Sequence, residues 1–401
     1  MDLKDPCRPL RPGTDLHLWL ALRILEAPRW LPLVVRSANS GFLLLVPDQL
    51  ADSSPFGSRI GGTSPYWLWG TWRGHLLRLY TAMFLYLLGL LAFLFLYRWF
   101  RERKRVGNES DKYVYITGCD SGFGNLLARH LDKLGYHVIA SCFTEKGEDG
   151  LKKVCSLRLS TIHLDVANTD SVNKAAATIK TQVGEKGLWA VVNNAGVSVP
   201  SANCDWLTIE DYKSMLDVNL NGVIAVTLSV LPLIKKARGR VVNVASVFGR
   251  ISAIGGPYCV SKFGVEAFND SLRKNLKPFG VKVLCIEPGF FKTSVTDVKI
   301  VGESVRKAWA KLPQEVKEEY GHDYLDKVDE MLLKKMENMP DMDLMKVVHC
   351  MEHAIAAVHP RTRYSPGWDA KFFWIPLSYM PTFISDYLLL KDSVKPEKCV
   401  I

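Results

Sequence analysis

Ser246, Tyr258 and Lys262 are the residues of this 401-residue chain whose types and spacing point most directly to chemistry. Tyr258 and Lys262 are four apart, so on a helix they share one face. An ammonium beside a phenol favours phenolate and lowers a pKa that is about 10 when unperturbed, which makes a usable general base. Ser246 ends an apolar run upstream and brings a hydroxyl to the same neighbourhood. Before these, Thr117-Gly-Cys-Asp-Ser-Gly-Phe-Gly124 sets Thr117, Gly118, Ser121, Gly122 and Gly124 between an apolar run and a helical pattern. Glycines there let the backbone turn sharply and approach a pyrophosphate aimed at a helix N-terminus. Asn193-Asn-Ala-Gly196 closes another apolar run, placing Asn193, Ala195 and Gly196 at the edge where open α/β sheets bind ligands. One motif alone could be a chance surface turn or pair, but all three in this order are hard to explain by coincidence.

Such residues meet only if a sheet carries them. From Lys112 onward short β-branched runs alternate with longer helical patterns, the sign of repeated βαβ units and a parallel sheet. Strands are predicted at Tyr113–Thr117, His137–Cys142, Thr161–Asp165, Ala190–Asn193, Arg240–Ala245 and Lys282–Ile286. Helices are predicted at Gly122–Leu134, Ser171–Val183, Thr208–Lys236 with a break near Asn219, and Pro257–Phe279. Continuous apolar strands such as VVNV and VLCI suit strands covered on both faces, so the fold class is α/β, a doubly wound parallel sheet of Rossmann type. After Thr293 charged, Met-rich helical stretches lead to an aromatic tail, expected to form an appendage serving substrate or membrane.

Apolar residues make up 48% of the chain and charged residues 23%, which excludes a disordered protein. Residues 1–112 carry more than half of the formal net charge of +10, so the presumed core lacks the basic surface a nucleic acid requires. The nine cysteines follow neither disulfide-framework nor zinc-ribbon spacing and read as reduced core thiols. Between Leu79 and Tyr97 there is no charge, and this run is long enough to span a bilayer. Arg98, Arg101, Arg103, Lys104 and Arg105 follow at once, placing the C-terminal part in the cytosol by the positive-inside bias. Residues 1–78 read as an optional extension, with a short helix at Leu16–Leu25 and strands at Leu31–Val35 and Gly41–Val46. The expected organisation is thus extension 1–78, transmembrane helix 79–97, basic linker 98–110, catalytic core 111–293 and C-terminal region 294–401.

With these motifs the chain resembles the short-chain dehydrogenase/reductase family across nearly all of residues 111–390. Ile116-Thr-Gly-Cys-Asp-Ser-Gly-Phe-Gly124, Val183-Gly-Glu-Lys-Gly-Leu-Trp189, Asn269-Asp-Ser-Leu-Arg273 and Phe373-Trp-Ile-Pro-Leu377 look like its microsomal retinol and hydroxysteroid dehydrogenase branch. The resemblance implies an endoplasmic-reticulum membrane enzyme that oxidises a lipophilic alcohol with NAD, and a tetrad of Asn219, Ser246, Tyr258 and Lys262. It implies that Tyr258 takes the substrate proton, Ser246 bonds the same oxygen, Lys262 also binds the nicotinamide ribose, and Asn219 holds a relay water. Pro288, Gly289 and Thr293 would lie beside the nicotinamide and Asp165 beside the adenine. NAD is favoured over NADP because Asp120, Ser121, Cys142 and Phe143 stand where a cation would meet the extra phosphate. The acidic residue usual at the end of the second strand is replaced by Cys142; Thr144 or Glu145 could substitute. A homo-oligomer is also compatible with the resemblance.

Two rival readings are weaker. His349-Cys-Met-Glu-His353 has the spacing of inverted zinc peptidases, with both histidines on one helix face, but no third ligand is evident and no metal is expected. An inactive binding or scaffold protein on the same fold is disfavoured by the intact tetrad. The segment from Phe372 to Ser385 is too short and too broken by Pro376 and Pro381 for a second crossing, so it is expected to dock on the bilayer, roof the pocket or simply pack on the domain.

Overall fold

The computed structural model describes residues 66–400. The helix and strands expected within residues 16–46 lie outside this range. The second of two compact units, Thr81–Ile401, carries the sheet and the crevice.

Helix α1 runs over Tyr66–Arg103, 38 residues and well beyond the expected span. From Leu77 onward its apolar side chains are exposed, Phe84, Phe93 and Phe95 each by more than half. A helix whose described side chains are apolar and exposed on all sides suits a hydrocarbon solvent. Arg98 pairs with Glu102 at 2.7 Å, and Arg101 and Arg103 oppose the negative end of the helix dipole. Immediately after α1, Val106 N–H donates to Ala356 O at 2.9 Å and Lys104 O accepts from Val358 N–H at 2.8 Å. Backbone bonds therefore tie the C-terminal end of α1 to the rest of the unit.

The sheet has seven parallel strands in the order β3-β2-β1-β4-β5-β6-β7. They are β1 (Tyr113–Ile116), β2 (His137–Cys142), β3 (Leu159–His163), β4 (Ala190–Asn193), β5 (Arg240–Val244), β6 (Lys282–Ile286) and β7 (Arg363–Tyr364). Alternate residues face opposite sides, so Val114, Ile116, Val242 and Leu284 join one buried cluster and Tyr115, Val191, Val241 and Val283 another. Burial on both faces requires the continuous apolar strands noted above, and each fully buried Val, Leu or Ile contributes about 1.5–3 kcal/mol. The first cluster is closed by α2 (Gly122–Lys133) through Leu127 and Leu131. The second is closed by α4 (Thr169–Val183) and α6 (Gly222–Lys236), through Ile179, Val226 and Val230. The strand order reverses between β1 and β4, and the crevice beyond the carboxyl ends of the strands there is where such sheets take ligands.

Three local features differ from expectation. β3 begins two residues early and ends at His163, leaving Asp165 in the loop beyond it. Helix α3 (Glu145–Lys152) was not anticipated, since EKGEDGLK carries two glycines and only one apolar residue. β7 is only two residues long, below the length at which alternation is readable.

The region after Thr293 divides in two. Helix α11 (Met345–Ala356) buries Val347, Val348, Met351, Ala354 and Ile355 in the first core cluster, and β7 extends the sheet, so this part is integral to the core. In the remainder, α8 (Val298–Ala310), α10 (Tyr324–Asn338), a π turn at Ala370–Trp374 and α12 (Thr382–Leu390) contribute to the crevice wall, and α9 (Gln314–Tyr320) lies between α8 and α10 in the chain.

Candidate active site

The glycine loop and the Asn-Asn-Ala-Gly turn form one hydrogen-bonded unit. Asn194 Nδ2 donates to Thr117 O at 3.0 Å and Gly118 O at 2.9 Å, and Thr117 Oγ1 accepts the N–H groups of Asn194 and Ala195, each at 3.1 Å. Gly118 has φ +70°, and a Cβ there would come within 2.7 Å of Ala195 Cα, so conformation and space both demand glycine. A Cβ at Gly124 would meet Asn194 Nδ2 at 2.5 Å. Asn193 is buried and donates to Thr227 Oγ1 and Asn243 Oδ1, both at 2.8 Å. Thr117, Gly124 and Asn193 thus stand behind the crevice wall as its scaffold, while Gly118, Ser121, Gly122, Ala195 and Gly196 line it. Asn194, which clamps the two motifs together, was not singled out from the sequence, although it lies inside a motif that was.

Asp120 joins the loop to the end of β2. Its carboxylate accepts the N–H groups of Phe143 and Thr144, both at 2.9 Å, and the Thr144 hydroxyl at 2.6 Å. Thr144 in turn caps α3 by accepting Gly147 N–H. A carboxylate therefore occupies the rim of the crevice where the acidic residue usual after β2 is missing. Asp165 lines the same stretch of wall and accepts Ala167 N–H at 2.9 Å.

The catalytic candidates come from three elements. Ser246 follows β5 and accepts Phe248 N–H at 3.2 Å, which starts a 3-10 turn over Val247–Gly249. Helix α7 (Pro257–Leu276) begins with Pro257 in its first turn, where the missing N–H does no harm, and presents Tyr258 and Lys262 to the crevice. Asn219 sits in a π turn at Asp217–Asn221 between α5 (Ile209–Leu216) and α6, matching the break expected in that helix. Its side chain accepts Val197 N–H and donates to Val197 O, both at 2.8 Å, and bonds Ser261 Oγ at 3.1 Å. Asn219 is buried and braces the loop after Gly196 against α7, one layer behind Lys262. Ser261 belongs to that brace and carries no motif of its own.

Burial dominates the electrostatics here. Desolvation pushes the Tyr258 phenol up to about 12, while its hydrogen bond with Ser246 pulls the other way. Desolvation also brings Lys262 down to about 8. Its Nζ donates to Val244 O at 3.1 Å and lies 5.6 Å from the centre of the Tyr258 ring. The four-residue spacing brings the pair together as expected, but in the protein alone it does not lower the phenol, because desolvation outweighs attraction at that distance.

Pro288 and Gly289 reach the wall through long-range partners. Pro288 O accepts Val247 N–H at 3.0 Å, Asp369 accepts Phe290 N–H at 2.7 Å, and the Asp369 carboxylate fills the space where a Cβ on Gly289 would project. Glu287, just before them, is buried between Arg250 at 3.1 Å and Arg363 at 3.0 Å. Thr293 faces Gly122 across the crevice mouth. Neither Asp369 nor the Glu287 cluster was visible as sequence spacing. The crevice is a cavity of about 1490 Å³ lined by the glycine loop, by Ser246, Tyr258 and Lys262, and by apolar side chains such as Trp206, Val305, Tyr324, Leu332, Trp374 and Leu388.

Residues 112–301 match the family described as short chain dehydrogenase. Retinol dehydrogenase 7 of Rattus norvegicus is 54% identical over 321 residues, which cover 79% of this chain and all of that protein. The chain belongs to the short-chain dehydrogenase family. The 17-beta-hydroxysteroid dehydrogenase type 6 of Homo sapiens is 50% identical over 318 residues, again 79% of this chain and all of that protein. Among solved structures, a short-chain dehydrogenase from Streptomyces avermitilis aligns over 70% of this chain and 97% of its own with a TM-score of 0.56 at 23% identity, a likeness of fold. As a short-chain dehydrogenase the protein is an oxidoreductase, and the reading as an inactive scaffold falls away. The peptidase reading fails on geometry as well. His353 Nδ1 bonds the Tyr364 hydroxyl at 2.7 Å and its Nε2 the Glu102 carbonyl at 2.9 Å, so His353 does not converge with His349.

Proposed function

We propose that this short-chain dehydrogenase is a membrane-anchored enzyme that oxidises a lipophilic alcohol, a retinol or a hydroxysteroid, to the aldehyde or ketone with NAD. The observation that carries the reading is that Ser246, Tyr258 and Lys262 line one cavity together with the glycine loop and a set of large apolar side chains. The names of the relatives support the substrate class.

The residues fit a dinucleotide, because the backbone at Gly118, Gly122 and Gly196 leaves a concave cradle along the wall. Gly118, Ser121, Gly122, Asp165, Ala195, Gly196, Pro288, Gly289 and Thr293 would hold it, together with Tyr258 and Lys262. When bound, the nicotinamide supplies the hydride acceptor and a positive charge. Tyr258 Oη takes the proton of the substrate hydroxyl, and Ser246 Oγ holds the same oxygen so that the carbinol carbon is oriented. A phenol held near 12 by burial becomes a base when positive charge gathers beside it, and Lys262 is one source of that charge. The amide of Asn219 is committed to Val197 and Ser261, so the proposed relay water is left to its backbone carbonyl. The apolar lining of the cavity excludes water and selects the lipophilic body of the alcohol.

Turnover by the detergent-solubilised full chain against a panel of retinols and hydroxysteroids, with NAD and NADP in parallel, tests this reading. NAD should exceed NADP in kcat/KM by tenfold or more, since Asp120 repels a ribose phosphate. The Asp120→Asn variant should narrow the ratio. Absence of turnover across the panel, or preference for NADP, would reject the respective part.

We place the catalytic unit in the cytosol on the bias of Arg98, Arg101, Arg103, Lys104 and Arg105. Of the two glycosylation sequons, Asn269 is buried within α7 and could not carry a glycan in the folded protein, whereas Asn108 is exposed. Asn108 should therefore be unmodified in microsomes, and sealed microsomes should leave the catalytic unit open to protease. An endoglycosidase-sensitive shift that Asn108→Gln abolishes would put the unit in the lumen.

A further inference from the structure

On the flank of the sheet, away from the cavity, α2 and α11 bring together two imidazoles and a carboxylate. His130 lies in the last turn of α2, eight residues and so about 12 Å along the helix from the crevice end at Gly122. His349 and Glu352 are three apart on α11 and share one face of that helix. One donor atom from each of the three side chains lies within 4.8 Å of the other two. His130 Nε2 is 3.0 Å from Glu352 Oε2, and the rings of His130 and His349 stand 5.7 Å apart at 71°.

We propose that His130, His349 and Glu352 form a binding site for a transition-metal dication, with Zn²⁺ the best match to the donor set. Two neutral imidazoles and one carboxylate suit a borderline cation, with Zn–N and Zn–O distances of about 2.0–2.2 Å. Tetrahedral ligation at that length sets donor atoms about 3.3 Å apart, so His130 and Glu352 already stand at nearly the required separation, and rotation of the exposed His349 closes the triad. The helices need not move, because Leu127, Ala128 and Leu131 of α2 and Val348, Met351 and Ile355 of α11 are locked in one core cluster. His349 has no hydrogen bond among the described residues, so recruiting it breaks none. Three protein ligands leave a coordination position for water. Arg105, 3.9 Å from Glu352, stands beside the cluster and opposes the metal, which makes the site one of modest affinity. The bound metal would cross-link α2 to α11 next to the segment that leaves the membrane anchor.

Equilibrium dialysis of the EDTA-treated, detergent-solubilised full chain against ZnCl₂ tests the site, with Co²⁺ absorption to report the donor type. One Zn²⁺ should bind per chain, with a rise in Tm and a Co²⁺ spectrum lacking a thiolate charge-transfer band. His349→Ala and His130→Ala should each weaken binding by tenfold or more and abolish the rise in Tm. The metal-free His349→Ala protein should keep wild-type Tm and turnover, because that side chain is exposed. Arg105→Gln should tighten binding severalfold. Binding equal in wild type and His349→Ala, a thiolate band in the cobalt spectrum, or no saturable binding at millimolar Zn²⁺ would overturn the proposal.

Discussion

Tyr258→Phe should lower alcohol oxidation by roughly 10²–10⁴-fold while leaving the fold and cofactor affinity nearly intact. The substitution removes one oxygen. The ring, packed against the cluster that includes Val247, Phe248, Cys259 and Trp374, remains, and among the described residues the hydroxyl partner lost is Ser246. None of the hydrogen bonds that shape the glycine cradle involves that oxygen. Turnover measured beside nucleotide binding by fluorescence separates the outcomes. Retained turnover would remove Tyr258 as the base, and a joint loss of turnover, binding and Tm would show that the hydroxyl supports the fold.

Lys262→Met should abolish most turnover and weaken cofactor binding, yet should not destabilise the protein at neutral pH. Lys262 is buried and, among the described residues, pairs with no carboxylate and donates one hydrogen bond, to the Val244 carbonyl. Burial holds its pKa near 8, against 10.5 for the free side chain. At about 1.4 kcal/mol per unit, charging it inside the protein costs on the order of 3 kcal/mol. Losing the bond to Val244 costs about 1–3 kcal/mol, so the two effects nearly cancel. The sign of the pH dependence follows from linkage. Between pH 8 and 10.5 the unfolded chain binds more protons at this residue than the folded one, so it makes wild-type stability rise with pH across that window. Lys262→Met lacks this contribution, so its Tm relative to wild type should be highest below pH 8 and should decline toward pH 10. A variant that melts far below wild type at pH 7 would show that the ammonium stabilises the fold. Unchanged turnover would remove it from the site.

The apolar strands β1, β2, β4, β5 and β6 were readable almost to the residue, because burial on both faces demands unbroken apolar runs. The helices that cover them were readable from their periodicity, and the break at Asn219 appeared as a flaw in that periodicity. What escaped was short or irregular: the two-residue β7 and the glycine-bearing α3. The role of α11 in the core also escaped, since its charged, Met-rich context suggested an appendage until Val347, Met351 and Ile355 were seen packed on the sheet. Most of the motif residues line the cavity, but Thr117, Gly124 and Asn193 turned out to hold its wall from behind, a distinction that residue type does not carry. Asp369, Glu287 and Arg363 had no local signature at all, because their partners lie some eighty or a hundred residues away in the chain.

The sequence by itself determined the chemistry that could be assembled, because a tyrosine and a lysine on one helix face, a serine at a strand end and a glycine loop before a helix are set by covalent spacing and backbone geometry. It also determined the long apolar helix, since nineteen uncharged residues in a row suit a hydrocarbon solvent without any tertiary context. Only the tertiary structure decided which members of the motifs face the cavity and which brace it, and that burial outweighs the lysine in setting the phenol's proton affinity. It also decided that His349 meets His130 rather than His353. Each of these depends on distances between residues remote in the chain, and on how much water the surrounding elements exclude, quantities that exist only once the sheet has closed around them.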